Sequence, residues 1–167
     1  DRLPKGFTPW PLIDPAGDSR YFQVSPTYNG AETQLAAIIT GTANTMKRLE
    51  AVLARCDDLL AAIPMRGRRF FEDNQVIQTR YMYHLTTTLH ELARAMAARP
   101  RSSARSNQPI ILRHVRQAEA TFSQALSALR EAEHAPFEGW TRPEDFQLQD
   151  NVDKLIAMRE NLEQSRF

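Results

Sequence analysis

The stretch FFEDNQVIQTRYMYHLTTTLHELARAM, residues 70–96, decides the fold. Its apolar side chains recur at alternating steps of three and four residues, which places them on one face of an α-helix. They are Met82, Leu85, Leu89, Leu92 and Met96, with Ile77 and Tyr81 beside them. A helix with one apolar face buries that face against other helices, so this stretch is predicted to be a core helix.

The same face continues backwards onto amide side chains where aliphatic ones would be expected. Gln78 and Asn74 lie on it, followed by Phe71. A buried amide without a partner costs roughly 1–3 kcal/mol, so two of them on one stripe need a reason. Either this end of the helix is solvated, or the amides bond to a neighbouring loop, or they face a ligand. The first two explanations are the commoner ones for polar side chains.

Another long helix, the first in the chain, is predicted for residues 31–63. It follows Asn29 and Gly30 and stops at Pro64, a residue that cannot continue a helix. Its seam positions repeat at steps of four and three without a break, a period of 3.5 that is typical of left-handed bundles and coiled coils. These positions are Leu35, Ile39, Thr42, Met46, Leu49, Leu53, Cys56, Leu60 and Ile63. Residues 64–68 are predicted to form a short basic turn, which makes the first two helices antiparallel.

Two further helices complete the predicted fold. The third begins with Asn107 as its cap and Pro109 in its first turn. Its apolar positions again step by four and three, and they are Ile111, Val115, Ala118, Phe122, Ala125, Leu129 and Ala132. The fourth runs from about residue 144 or 150 to residue 164. The sequence therefore predicts an all-α, up-and-down bundle of four main helices, whose core pairs the seams of the first and third helices with the leucines of the second.

Residues 1–30 are predicted to lie outside the helices, as an extended strap along the bundle. They contain five of the ten prolines, which exclude a long helix, and too many aromatic residues for a disordered tail. The alternative is that Trp10 and the tyrosines form a surface for a sugar or a partner, although aromatic side chains are more often buried. The predicted domain organisation is thus the strap, residues 1–30, and the helical bundle, residues 31–167.

The charge of the chain is nearly balanced, with 21 basic and 20 acidic residues. Nucleic-acid binding rests on a clear basic excess, so we expect no nucleic-acid partner. No apolar run reaches the roughly 18 residues that a membrane span requires, and residues 1–10 lack the pattern of a signal peptide. We therefore expect a soluble protein that does not bind membranes. The single cysteine, Cys56, cannot form an internal disulfide, which leaves the compartment open.

Helical bundles can hold di-metal carboxylate sites, which require two Glu-x-x-His pairs and two more glutamates. Glu131 and His134 have this spacing, but His84, His90 and His114 have no glutamate three residues earlier. The sequence also lacks a glycine-rich phosphate loop and a nucleophile elbow. We therefore expect no metal, no cofactor and no catalysis by this chain alone.

Two segments match a pattern found in larger proteins. Residues 71–85 contain an Asp-Asn pair, a glutamine, a methionine and a leucine, at Asp73, Asn74, Gln78, Met82 and Leu85. Residues 129–140 contain an arginine, Ala-Glu and a tryptophan, at Arg130, Ala132, Glu133 and Trp140. Together they resemble the C-terminal helical region of large bacterial proteins described as glycosyl hydrolases. The Tyr-Arg-Gly-Asp turn of that family is replaced here by Thr-Arg-Pro-Glu-Asp, residues 141–145, and no catalytic barrel is predicted.

The resemblance implies a link to glycan degradation without assigning a catalytic residue. The favoured function is a helical accessory region of a bacterial glycan-processing protein, non-catalytic in isolation. Its partners would be a glycan or a catalytic domain of the same longer chain. The alternative is a bundle that works by protein–protein association, in which the seam of the first helix forms a homo-oligomer.

A ligand site is expected at one end of the bundle. If the second and third helices are antiparallel, the start of one lies beside the end of the other, near residues 135–143. Asn74, Gln78, Tyr81 and Trp140 then lie together, and amides beside an aromatic plane bind a sugar by hydrogen bonds and stacking. The structural alternative is that the amides bond to the backbone of residues 135–143 and hold that turn in place.

Overall fold

The computed structural model describes residues 28–98, 107–134 and 148–164, and every regular element in these ranges is helical. The helices are α1 (Tyr28–Ala62), α2 (Met65–Phe71), a π-helical segment (Glu72–Ile77), α3 (Gln78–Ala97), α4 (Gln108–Glu131) and α5 (Leu148–Gln164). α2, the π-helical segment and α3 follow one another without a break, and this continuous rod is called the central helix below. The predicted all-α fold is confirmed.

α1 and the central helix are separated by two residues, Ile63 and Pro64. The backbone amide of Gly67 donates to the carbonyl oxygen of Pro64 at 2.8 Å, so a helix resumes directly after the proline. The predicted basic turn over residues 64–68 is therefore wrong, because a proline that ends one helix is compatible with the start of the next. α1 begins at Tyr28, three residues earlier than predicted. The rest of the predicted strap lies outside the described residues.

The helices pack in the order in which they occur in the chain. The central helix lies between α1 and α4, and α5 packs against α4. The central helix and α4 are antiparallel, since Arg69 reaches Glu131 at one end and Asn107 reaches Ala98 at the other. The up-and-down bundle is consistent with these contacts. The expected contacts of the first and third seams with the second helix are present, because the central helix packs against both α1 and α4.

Asn107 does not cap α4 with its side chain, which corrects the sequence-based prediction. Its Nδ2 donates instead to the carbonyl oxygen of Ala98 at 2.9 Å, at the C-terminal end of the central helix. The last carbonyls of a helix have no partner within that helix, so this bond supplies one from the next helix. Pro109 lies in the first turn of α4, as predicted.

The apolar core lies between the central helix, α4 and α5. Its larger cluster consists of Leu92, Ala118, Phe122, Leu126 and Leu155, with Leu85, Met96, Leu129 and Val152 packed around them. A second cluster joins Ala95, Val115 and Met158. The predicted core face of α4 is confirmed, since Val115, Ala118, Phe122 and Ala125 are all buried. Met82, which was expected on the apolar face, is 51% exposed, although Ile77 before it and Leu92 after it are buried.

α1 presents its predicted seam to the central helix. All nine seam side chains are buried or half-buried, and Cys56 is the one among them that is fully buried. Val52 and Leu59, beside the seam, are 40% and 39% exposed. The pattern of period 3.5 therefore marks the face of α1 that contacts the central helix. That contact leaves the neighbouring side chains partly exposed.

Polar side chains also join neighbouring helices. Between the central helix and α4, Glu91 Oε2 lies 2.6 Å from His114 Nδ1. On the opposite side of the central helix, Thr42 Oγ1 of α1 lies 2.9 Å from His90 Nδ1. Each pair gives a partner to groups that burial would otherwise leave unsatisfied, which favours this register of the helices. None of the described helices combines the length and the apolarity that a membrane crossing requires.

Candidate functional site

The π-helical segment Glu72–Ile77 interrupts the central helix where it passes the end of α4. Arg69 Nη2 lies 3.0 Å from Asp73 Oδ1, an ion pair without hydrogen-bond geometry, and Arg69 also approaches Glu72. The other oxygen of Asp73, Oδ2, accepts a hydrogen bond from His134 Nε2 at 2.7 Å. Single wide turns of this kind inside α-helices occur frequently at functional sites. The segment and its surroundings are therefore candidates for a functional site.

Two arginines connect this region to the last turn of α4. Arg69 Nη2 donates to the backbone oxygen of Glu131 at 2.7 Å, and Arg80 Nη1 donates to the Glu131 carboxylate at 2.5 Å. A cation at the C-terminal end of a helix is favourable, because the carbonyls there lack partners within the helix. We call this set the charged junction, and its members are Arg69, Asp73, Arg80, Glu131 and His134. Each member has a partner, so the junction fastens α4 to the central helix.

Glu131 and His134 are the Glu-x-x-His pair of the sequence, and they take different partners in the structure. Glu131 bonds to Arg80, and His134 bonds to Asp73. Within residues 28–98, 107–134 and 148–164, no three side chains among His, Cys, Asp and Glu come together as a metal site. The charged junction is therefore a set of ion pairs and hydrogen bonds between helices.

His84 lies beside the charged junction and has a ring nitrogen without a partner. Its Nδ1 is buried and makes no hydrogen bond in the described part of the chain. Burial lowers the pKa of His84, and the charge of Arg80 acts in the same direction, while Glu131 opposes them. The ring of Tyr83 stands edge-on to the imidazole, with centroids 5.5 Å apart. The environment thus favours the neutral form of His84, which avoids a second positive charge beside Arg80.

A different face of the central helix carries the predicted amides. Asn74 and Gln78 are both exposed, and Asn74 Nδ2 donates to the backbone oxygen of Phe70 at 2.9 Å. In an α-helix, residues four apart are offset by about 40° around the axis. Phe70, Asn74 and Gln78 recur at this spacing and are all exposed, so they are neighbours along one side of the central helix. Met82, four residues after Gln78, is exposed as well, and we call these four residues the amide row.

The amide row is apolar at both ends and polar in the middle. Phe70 is 74% exposed and Met82 is 51% exposed, so neither end is covered. At a rise of 1.5 Å per residue, the row is about 18 Å long. None of its four side chains is charged. An uncharged, hydrogen-bonding strip with exposed apolar ends suits an elongated ligand that is polar and neutral.

The predicted ligand residues have different positions. Asn74 and Gln78 share the amide row, and Tyr81 is half-buried next to it, where burial raises the pKa of its hydroxyl. Trp140 and residues 135–143 lie outside the described residues. The expected meeting of the start of the second helix with the end of the third is present, since Arg69 and Asp73 contact Glu131 and His134. Whether the amides bind a ligand or hold residues 135–143 stays a prediction.

Sequence spacing does not reveal the charged junction, because its members come from two separate segments, residues 69–80 and residues 131–134. One local signal exists: Arg69 and Asp73 have the i, i+4 spacing of a helical ion pair. The sequence does not single out the exposed Phe70 for another reason. Regular α-helical spacing extends the apolar stripe to Phe71, and Phe71 is half-buried in the structure. Phe70 does not belong to that stripe, and it faces solvent.

Cys56 is the remaining side chain with nucleophilic potential. It is 2% exposed on α1, and burial, followed by the charge of Asp57, raises the pKa of its thiol. A reactive cysteine requires a lowered pKa and access to solvent, and Cys56 has neither. Its packing therefore makes it a structural residue of the interface between α1 and the central helix.

Comparisons with known proteins add no relative to this description. No protein-family model matches the chain, and searches of curated proteins and of solved structures find no match.

Proposed function

We propose that this chain is a non-catalytic helical accessory module of a glycan-processing protein, and that its amide row contacts the glycan. The observation that supports the proposal is the exposure of Asn74 and Gln78, four residues apart, between the exposed apolar side chains of Phe70 and Met82. A side-chain amide both donates and accepts hydrogen bonds, which matches the hydroxyl groups of a sugar. Because the row carries no charge, a neutral glycan can approach it without the cost of desolvating an ion.

The carboxylates of the charged junction support a non-catalytic role. Glycosidases use one carboxyl group as an acid and another as a base or nucleophile, and both must reach the sugar. Asp73 is occupied by His134 and Arg69, and Glu131 is occupied by Arg80. These acids hold two helices together, so the glycan-binding role falls to the neighbouring neutral row.

Heteronuclear NMR titration of the whole chain with soluble oligosaccharides of glucose, N-acetylglucosamine, xylose and mannose tests the proposal. We expect millimolar binding, with shifts concentrated at residues 70–82, because an open row covers one face of a ligand. The double variant Asn74→Ala/Gln78→Ala should abolish these shifts. Gln124→Ala, which removes an exposed amide from α4, should not change them. Absence of binding to every oligosaccharide would contradict the proposal.

The structural alternative for the amides has its own signature. If Asn74 and Gln78 hold residues 135–143, Asn74→Ala should lower the free energy of unfolding by about 1 kcal/mol or more. If Asn74 is available to a ligand, the substitution at this exposed position should change stability by less than about 0.5 kcal/mol. Urea unfolding of the parent and the variant separates the two outcomes.

Association through α1 is a second candidate function, and the exposure of Val52 and Leu59 favours it. These residues are seven positions apart, the spacing at which one helix packs along another. Analytical ultracentrifugation over a range of concentrations tests this role. An oligomer that Val52→Glu or Leu59→Glu converts into a monomer would support it, and a parent chain that stays monomeric would exclude it.

A further inference from the structure

α2 exposes its large apolar side chains to an unusual degree. It has no buried residue, and its Met65 and Phe70 are 80% and 74% exposed. Leaving a phenyl ring in water forgoes the stabilisation that its burial would provide. Phe71, the next residue, is half-buried instead, so of these two neighbouring phenylalanines one packs and the other faces outwards.

The position of Phe70 connects it to the amide row. The backbone oxygen of Phe70 accepts a hydrogen bond from Asn74 Nδ2, which holds the amide one helical turn along from the aromatic residue. Asn74 and Gln78 follow Phe70 at steps of four residues and are exposed like it, so the three residues share one side of the central helix. Met65, by contrast, precedes Phe70 by five residues and is rotated from it by about 140° around the helix. Phe70 alone of these two apolar side chains therefore belongs to the row.

We propose that Phe70 is the stacking platform of the amide row, and that its ligand is a neutral sugar chain whose rings present flat, apolar C–H faces. This inference rests on the proposed glycan-binding function. A pyranose ring whose hydroxyl groups are equatorial has such faces on both sides of the ring. One face packs on the phenyl ring, while hydroxyl groups at the ring edge hydrogen-bond to Asn74 and then to Gln78.

The geometry selects among sugars as well as holding them. A sugar with axial hydroxyl groups places a polar group between its ring and the phenyl face, where the hydroxyl would lose its hydrogen bonds to water. Sugar chains of β-linked glucose or N-acetylglucosamine avoid this cost because their hydroxyl groups are equatorial. The aromatic side chain thus determines specificity, and the amides determine orientation.

Calorimetric or NMR titration of the full chain with β-1,4-linked hexasaccharides of glucose and of N-acetylglucosamine, and with an α-linked mannose hexasaccharide, tests the inference. Phe70→Ala should weaken binding of the β-linked sugars about tenfold, and Phe70→Trp should restore or strengthen it. Met65→Ala, which removes an equally exposed apolar side chain from the same short helix, should leave the affinity unchanged. Circular dichroism of each variant confirms that its helix content matches that of the parent.

The outcomes distinguish this inference from the function on which it rests. Binding by the parent that is unchanged in Phe70→Ala overturns the role of Phe70 and leaves the glycan-binding function standing. Equal losses in Met65→Ala and Phe70→Ala, or tighter binding of the mannose chain, also overturn it. If the parent binds none of the three hexasaccharides, while it binds another sugar of the wider panel, the proposed ligand class is wrong. No binding to any sugar overturns both proposals.

Discussion

The two sides of the central helix differ in how completely they are covered. On the α4 side, Leu92, Phe122 and Leu155 have almost no solvent contact and belong to one cluster. On the α1 side, Ile38 and Cys56 are the buried members of α1 among its described side chains. Both interfaces derive from the same spacing of apolar residues in the sequence. The difference teaches that such spacing identifies a contact face, whereas the number of helices that cover the face sets its burial.

The polar contacts differ in the same direction. The side chains of Glu91 and His114, on the α4 side, are 14% and 6% exposed. On the α1 side, Tyr83 Oη donates to Glu50 Oε1 at 2.8 Å in an exposed position. Contacts that water reaches contribute less to stability than contacts that it does not. The α1 interface is therefore expected to be the weaker one, because its apolar side chains are less buried and its polar contact is more exposed.

Truncation of one leucine on each side of the central helix should give the largest effect on stability, and the two losses should differ. Leu92→Ala should lower the free energy of unfolding by roughly 2–5 kcal/mol, because it opens a cavity in the cluster around Phe122. Leu53→Ala, at a half-buried position of the α1 seam, should cost about 1–2 kcal/mol, since less apolar area is lost. Urea unfolding followed by circular dichroism measures both values. Equal losses would show that α1 is covered in solution as completely as α4.

Removal of one polar partner on each side should give the next largest effect. His114→Leu leaves the Glu91 carboxylate nearly buried without its partner and should cost about 3 kcal/mol. Thr42→Val removes the hydroxyl that contacts His90 and should cost about 1 kcal/mol. A double variant, Glu91→Leu/His114→Leu, should recover part of the first loss because no charge is then stranded. If the double variant lost as much stability as the single variants Glu91→Leu and His114→Leu added together, this explanation would be wrong.

Acidification should weaken the packing on both sides. Burial lowers the pKa of His90, which faces α1, and of His84, which lies beside the end of α4. The unfolded chain, in which histidine titrates at about 6.5, then binds more protons than the folded chain. This contribution to stability is present above that pH and is lost as the pH falls below it. Urea unfolding at pH 7.5 and pH 5.5 should show the decrease, and His90→Gln and His84→Gln should each make it smaller.

The smallest effect is expected at the exposed hydrogen bond between α1 and the central helix. Glu50→Gln should change the free energy of unfolding by less than about 0.5 kcal/mol, because solvent screens the contact with Tyr83. The same variant should lower the pKa of the Tyr83 hydroxyl, which the bond to Glu50, more than burial, holds above its ordinary value. Ultraviolet titration of tyrosine measures that pKa. A large loss of stability would show that this bond is shielded from water.

The all-α fold followed from the sequence because helical spacing persists over many turns in every main helix. The core face of α4 was predictable for the same reason, as the burial of Val115 and Phe122 shows. The contacts of the central helix with α1 and α4 were expected from the chain connections, because a seam by itself does not specify its partner. The helical start at Met65 was not predictable, because a proline can lie in a turn or directly before a helix, as Pro64 does.

The candidate site was predictable in part. The amides at Asn74 and Gln78 stand out in the sequence because they extend an apolar stripe. Their exposure depends on which face of the central helix is covered, and in this part of the helix the buried residues are Val76, Ile77 and Thr79. The π-helical segment depends on contacts between distant residues, such as Asp73 with His134, which spacing within one helix does not contain.

The two-residue break at Ile63 and Pro64 has a consequence for how copies of the chain can exchange parts. Without the break, residues 28–97 would form one straight helix about 105 Å long. α1 could not then fold back on its own central helix, and it would meet the central helix of another copy, which is domain swapping. Pro64 disfavours the continuous form because it lacks a backbone donor and its ring clashes with the carbonyl four residues earlier, and its ψ of 146° is far from the helical value. One proline thus keeps the contact between α1 and the central helix within a single molecule.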